Sequence, residues 1–408
     1  MLPCLIAGSI FVSGRSQGAW NIYSTANSLL PWNTVRCIVV DTATNLKWIG
    51  TDYGLASFDG TTWATYTTVN SSIPDDAIRS LAIDENGDLW AGTLQSGVAK
   101  FDGAAWTIYD MSNSGIPDNM VKAVAFDTAG NLWVGTPSGL GKFDWSTWTT
   151  WNISNSTLIS HNITCITIGK NNIKRIGTLN GGLAYYNDTA FTVYSYWTGT
   201  LPENTVTSVD IDSTGKPWVA MNASGIIVHY GGPAWVWMNT INSSIQSDVI
   251  NHIHVSKDQK KYISTMDKGI IIYNGTTFVN YDSANSPFPD SWATCAVKDT
   301  AGIVWIGTLN EGLVRLDESI LNGVQEQALP DDIILGPIPT PDKFTVYSTG
   351  MFKGVTEFLL CDIHGNILIR KKALPGVCSM EFDISHLAPG YYVFFTQGRR
   401  YNFRVIKS

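Results

Sequence analysis

Three cations recur at one interval near the start of the chain: Arg36, Arg79 and Lys122, each 43 residues after the last. Cations brought to one spot by a repeat would focus their field on an anion, such as a sugar acid, a sulfate or an acidic peptide. The plainer expectation is that Asp75, Asp76, Asp118 or other loop acids neutralise them. The aromatics Trp32, Tyr53 and Trp292, expected on the same rim, offer stacking surfaces for a sugar ring instead. A second constellation is His252 and His254. Two apart on a strand, they share one face, as two imidazole ligands of a divalent metal would. No third ligand is visible, and Asp210, at the place of His254 in the preceding repeat, offers a polar partner. Packed, hydrogen-bonded histidines are the simpler expectation, so no cofactor is expected.

Other chemistry is thinly represented. Asp84-Glu85-Asn86-Gly87-Asp88 has the flavour of a calcium loop without its spacing or its distal glutamate, and reads as a turn. Asn70-Ser71-Ser72 and Asn274-Gly275-Thr276 are sequons of the kind Asn/Ser-rich loops produce by chance, and the Asp-Thr-Ala phrases at 41, 127 and 299 read as turns. There is no Walker loop, Gly-x-Ser-x-Gly elbow or dinucleotide fingerprint.

The elements that must position these residues come from a repeat. A phrase headed by Trp48, Trp90, Trp133, Arg175, Trp218, Tyr262 and Trp305, usually continuing into Gly-Thr, recurs at spacings of 42, 43, 42, 43, 44 and 43 residues. A period of that size suits a four-stranded propeller blade. In the second repeat, Ala77 to Ile83 reads as the inner strand, followed by Leu89 to Thr93, Val98 to Phe101 and Trp106 to Tyr109. Aligning the inner strands puts Arg36, Arg79 and Lys122 at the position filled later by Thr164, Thr207, Asn251 and Thr294, at one mouth of the central channel. The outer-strand phrase, aromatic-x-x-aromatic, is missing after repeat seven, but Trp20 and Tyr23 carry it ahead of repeat one. The N-terminal strand is therefore expected to complete the last blade and remove an open sheet edge. The recurrent aromatics read as packing between blades.

The pattern Asp127-x-x-Gly130-Asn131-Leu132-Trp133-x-Gly135-Thr136, followed by Gly139-Leu140 and Phe143-Asp144, resembles the two-component regulator propeller repeat. The resemblance spans residues 19–317 and implies an extracytoplasmic seven-bladed propeller of the kind that serves as a sensor region of membrane-spanning histidine kinases. No kinase and no apolar stretch long enough to cross a bilayer accompany it.

Beyond the repeats, Pro330, Pro337, Pro339 and Pro341 mark residues 318–337 as a stiff linker. Alternating runs from Phe344 to Ile406 then imply a small Ig-like antiparallel β-sandwich over 338–408. Asp362-Ile363-His364-Gly365-Asn366 and the stretch Asp383 to Tyr392 resemble the type A sorting domain of type IX secretion. That resemblance implies export by the type IX machinery of a Gram-negative bacterium to its surface or beyond. Residues 1–18, with the apolar run Leu2 to Val12 and small residues after it, read as the remnant of a signal peptide.

Composition agrees with an exported all-β protein. Charged residues make up only 15% of the chain, and the net charge of −8 disfavours nucleic acid and anionic lipid. Cys37, Cys165 and Cys295 share one inner-strand position and read as small core residues, while Cys361 and Cys378 are close enough in the tail to pair or stay free. The reading is of a secreted or surface propeller acting as a non-catalytic binding module, its rim receiving a glycan, an acidic peptide or a surface protein. The alternatives are a carbohydrate-active hydrolase or lyase, kept open by His252 and His254, and a sensor component working with a membrane receptor.

Overall fold

The computed structural model describes residues 19–231, 234–321, 333–336, 342–348, 356–361, 367–373, 379–388, 390–396 and 399–407. The expected signal segment, Pro330, Pro337, Pro339, Pro341, the Asp362 to Asn366 phrase and Cys378 lie outside them. Chain contacts divide the protein into one unit over Trp20–Leu316 and a second containing Asp317–Ser408.

The larger unit is a seven-bladed β-propeller of four-stranded antiparallel sheets. Blade 1 is Val35–Val40, Lys47–Thr51, Gly54–Phe58 and Trp63–Tyr66, and the pattern repeats through blade 6, which ends on Phe278–Tyr281. In blade 7 the strands Ala293–Lys298, Val304–Thr308 and Leu313–Leu316 are joined by Trp20–Tyr23, with Trp20 opposite Leu316 and Tyr23 opposite Leu313.

The Gly-Thr phrase serves two purposes. A Cβ on Gly50 would sit 2.6 Å from Cys37 Sγ and 2.7 Å from Ile78 of blade 2, so the second strand needs glycine where neighbouring blades close on each other. The threonine that follows ties off the next turn: Thr51 Oγ1 donates to Gly54 O, and Thr93, Thr136, Thr178, Thr265 and Thr308 repeat that bond.

The tryptophan at the head of the phrase does more than fill space. Trp90, Trp133, Trp218 and Trp305 donate their indole N–H to Asp84, Asp127, Asp212 and Asp299 of the preceding turn, at 2.9–3.3 Å. Buried lysines from the following blade cover three of these rings: Lys47 over Trp305, Lys174 over Trp133 and Lys261 over Trp218, at 4.4–5.2 Å. At three blade interfaces the ring thus meets a carboxylate at its N–H edge and an ammonium over its face. The turn at 84–88 is closed from within, because Lys100 Nζ lies 2.7 Å from Asp88 and 3.9 Å from Asp84.

The second unit holds two antiparallel sheets. One runs Ile333–Gly336, Lys343–Ser348, Ser379–Asp383; the other runs Ile367–Ala373, Thr356–Cys361, Gly390–Thr396, Arg399–Lys407. Phe344 stacks on Phe382 at 5.0 Å, and both are buried with Phe358. Within the stretch read as a linker, the described residues include a helical turn, Glu318–Leu321, and the strand Ile333–Gly336, which pairs with Lys343–Ser348.

Candidate functional site

Six of the seven inner strands shift register at one place. The shifts fall between Val35 and Cys37, Ile78 and Ser80, Ile163 and Cys165, Val206 and Ser208, Ile250 and His252, and Ala293 and Cys295. Each leaves one residue without a ladder partner: Arg36, Arg79, Thr164, Thr207, Asn251 and Thr294. A β-bulge re-aims its extra side chain. In blade 3, Lys122 takes the same place immediately before its strand. All seven line a cavity of about 400 Å³, together with Trp292 and His252.

The ring has two unlike arcs. In blades 4 to 7 each polar side chain reaches to the next blade: Thr164 Oγ1 to Val206 O at 2.6 Å, Thr207 Oγ1 to Ile250 O at 2.8 Å, Asn251 Nδ2 to Thr294 O and Thr294 Oγ1 to Val35 O, both at 2.5 Å. These are latches between blades. In blades 1 to 3 the cations bond elsewhere. Arg36 forks onto Asp52 through Nε at 2.9 Å and a terminal nitrogen at 2.7 Å, and Arg79 reaches the same carboxylate at 2.8 Å. Lys122 Nζ donates to Asn162 Oδ1 at 2.9 Å.

The loop acid that neutralises the two arginines is Asp52, which the sequence reading does not name. The expected acids are engaged otherwise: Asp75 accepts from the Gln95 amide, Asp76 from Thr68, and Asp118 from Ser138. The available signal was a broken pattern, since the position of Asp52 holds Leu94, Leu179, Met266 and Leu309 in other blades. Burial alone would raise the Asp52 carboxyl; the hydrogen bonds and charges of Arg36 and Arg79 outweigh it and hold the group below the usual carboxylate range. Burial lowers the Lys122 ammonium, opposed by Asp118.

The aromatics divide. Trp292 lines the cavity, whereas Trp32 and Tyr53 pack on each other at 4.5 Å, 45% and 57% exposed. Their place is unusual within the repeat. At the position of Trp32 the other blades carry Asp75, Asp118, Ser160, Glu203, Ser247 and Asp290, each bonded to the turn after its blade's second strand. Only blade 1 replaces that polar clasp with an aromatic pair, beside Asp52.

His252 and His254 lead in different directions. His252 Nδ1 accepts weakly from the Ala296 amide of blade 7 at 3.4 Å, while His254 Nδ1 lies 3.3 Å from Asp210 of blade 5. Burial, then the neighbouring His254, pushes the His252 imidazole down to about 4. Among the described residues no three His, Cys, Asp or Glu side chains converge as a metal site. Cys37, Cys165 and Cys295 are free thiols facing the second-strand glycines, and burial pushes the last two up to about 11.

Fold and ring together define a β-propeller with a polar, partly cationic channel mouth. Residues 72–95 and 115–138 match the family described as "Two component regulator propeller". No curated protein matches the sequence. Among solved structures the chain is similar to the extracellular domain of a hybrid two component system from B. thetaiotaomicron, at 18% identity and a TM-score of 0.65, over 95% of this chain and 57% of that one. It is also similar to PorZ, a surface component of the type-IX secretion system of Porphyromonas gingivalis, at 15% identity and a TM-score of 0.58, over 92% and 60% of the two chains. A third likeness is to virginiamycin B lyase from Staphylococcus aureus, at 12% identity and a TM-score of 0.58, over 73% and 98%. The chain thus spans under two thirds of the length of the first two, and at these identities the likeness is one of fold. The fold is compatible with a binding or sensor module and with a secreted or surface protein. No helix among the described residues is long and apolar enough to cross a membrane.

Proposed function

We propose that the propeller is a non-catalytic binding module that takes the anionic group of a glycan, an acidic peptide or a surface protein at the channel mouth. One observation carries this reading: Arg36, Arg79 and Lys122 line the cavity, and Asp52 pairs with only the two arginines. Lys122 has an amide oxygen as its partner and retains its charge for a ligand. Trp292 on the same wall, with Trp32 and Tyr53 outside it, would contact the uncharged part of that ligand. The likeness to extracellular domains of two-component proteins supports a variant of this reading, a sensor component docking on a membrane receptor.

In the same proposal, Trp20–Tyr23 closes the ring, residues 1–18 direct export and 338–408 serve as the type IX sorting domain. Deleting residues 338–408 should trap the propeller in the periplasm, still folded; surface delivery of that truncation would remove the sorting role. The binding test is a titration with an acidic glycan at 0.1 M and 1 M salt. Over that range the Debye length shrinks from ~10 Å to ~3 Å, so binding through cations must weaken, whereas ring stacking would hold.

A further inference from the structure

The loops that join one blade to the next each present two residues to solvent, the second and third after the outer strand. Their tips are held alike. An amide at the foot of each loop donates to Asn27, Asn70, Asn113, Asn155, Asn242 or Asn285, or, in the loop leaving blade 4, to Thr198 Oγ1. One turn repeated around a ring of blades sets its tips at one height, in a plane across the propeller. That plane belongs to the channel-mouth face. Tyr66, the end of the outer strand of blade 1, pairs with Leu55 beside the turn that holds Asp52, and the amides of Gly54 and Thr68 both donate to Asp76 at the far end of the same loop.

Most of these tips carry large apolar side chains: Val69, Met111, Ile153, the pair Tyr196-Trp197, and Ile241. Val69 is 94% exposed and Ile241 91%, and the others are at least half exposed, so packing within the fold does not account for them. No residue at these two positions is charged in any loop. The opposite face, built by the same repeat, is the control. Its turns between first and second strands carry Glu85, Lys170, Lys257 and Asp258. Among the described residues, the large apolar side chains exposed at or beside its turns are Trp145 and Tyr230, and both are engaged. Trp145 donates to Gly130 O and lies 5.7 Å from Trp90, while Lys216 covers the Tyr230 ring at 4.5 Å. Apolar side chains scattered singly over a surface need no explanation, but here they are sorted to one face and one loop position.

We propose that the propeller docks on a lipid bilayer by its channel-mouth face, with these loop tips inserted at the boundary of headgroups and acyl chains. A bilayer is flat and receives coplanar apolar side chains wherever they fall, whereas a protein partner would need a matched pocket opposite each blade. Aliphatic residues accompanied by Tyr and Trp are the set that partitions to that boundary. With a net charge of −8 the fitting surface is a zwitterionic one, and insertion rather than ion pairing supplies the attraction. The inference uses none of the mouth cations and stands whether or not they hold an anion. Docked in this way, the channel mouth opens onto the membrane surface.

The test is flotation of the full chain with phosphatidylcholine vesicles at about 0.1 M and about 1 M sodium chloride; the wild type should float at both, because insertion of apolar side chains is not screened by salt. The combined variant Val69→Ser, Trp197→Ser, Ile241→Ser should bind at least about tenfold more weakly. Its unfolding temperature should match the wild type, since all three side chains are exposed. Val279→Ser, on an outer strand away from the tips, should leave binding intact. A readout independent of the combined variant comes from Trp197→Phe, which keeps the tip apolar. It should still float, and should lose part of the fluorescence quenching that phospholipids brominated near the headgroup cause in the wild type. A wild type that stays unbound would overturn the bilayer as partner and leave the tips to a protein. Binding that survives the combined substitution, or that fails at high salt, would overturn insertion.

Discussion

The two arcs of the channel mouth occupy the same backbone position and do opposite things. From blade 4 to blade 7 the bulged residue is small or short and spends its polar group on the neighbouring blade. In blades 1 to 3 the residue at that place is long and charged and spends its polar groups on Asp52 and Asn162. Identical strands therefore carry either a structural bond or a charge offered to the cavity, and side-chain length decides which. A repeat separates the two roles in space, so one half can change without unlatching the other.

The strongest break of that comparison is replacement of Arg36, Arg79 and Lys122 together by glutamine. Charge-assisted hydrogen bonds contribute about 1.5–3 kcal/mol each, so affinity for an acidic ligand should fall by about a thousandfold or more while the domain stays folded. Calorimetric titration checks it, and retained affinity would move the site to Trp32, Tyr53 and Trp292.

Next in size is an acid sensitivity belonging to the latched arc. His252 titrates near 4 in the folded chain and near 6.5 when unfolded, so between those values the unfolded chain carries a proton the folded one lacks. Its contribution is whole above pH 6.5 and is lost as pH falls toward 4, up to about 3 kcal/mol. In His252→Gln the slope of stability against pH should flatten in that window, as urea titrations at pH 4.5 and 7 would reveal.

A single latch is worth less. Thr294→Val keeps shape and removes one bond to Val35, which should cost about 1 kcal/mol without altering ligand affinity. A loss of binding in this variant would mean that the two arcs are coupled. The smallest effect is expected from Asp52→Asn, which frees both arginines from a partly exposed ion pair worth up to ~1 kcal/mol. Affinity for an acidic ligand should rise about fivefold.

Much of the propeller was legible because turns and close blade contacts leave residue-specific traces. Gly50 and Thr51 could scarcely be other residues, and the same Gly-Thr pair recurs in five of the seven blades. Repeat alignment also placed Arg36, Arg79 and Lys122 at one position, and the cavity lining contains all three. The bulges that aim Arg36 and Arg79 were not legible, since inserting one residue into a ladder requires no particular side chain. Nor were the buried lysines, since nothing in the sequence marks Lys47, Lys174 and Lys261 as buried until the tryptophans they cover are seen. Asp52 was overlooked because its meaning lies in departing from an apolar position, a signal that appears only when turns are aligned as carefully as strands.

The loops joining the blades explain another recurrent residue. Asn27, Asn70, Asn113, Asn155, Asn242 and Asn285 each accept from the amide three residues back and donate to the carbonyl five back. Each is followed by serine, a pairing prone to spontaneous deamidation when the following backbone nitrogen can attack the side-chain carbonyl. Here the amide is held at both ends, and the nitrogens of Ser28, Ser71, Ser114, Ser243 and Ser286 are committed to carbonyls four residues back. The clasp that shapes the loops thus also slows their chemical ageing, and a protein assembled from age-prone dipeptides keeps its amides for as long as its blades stay closed.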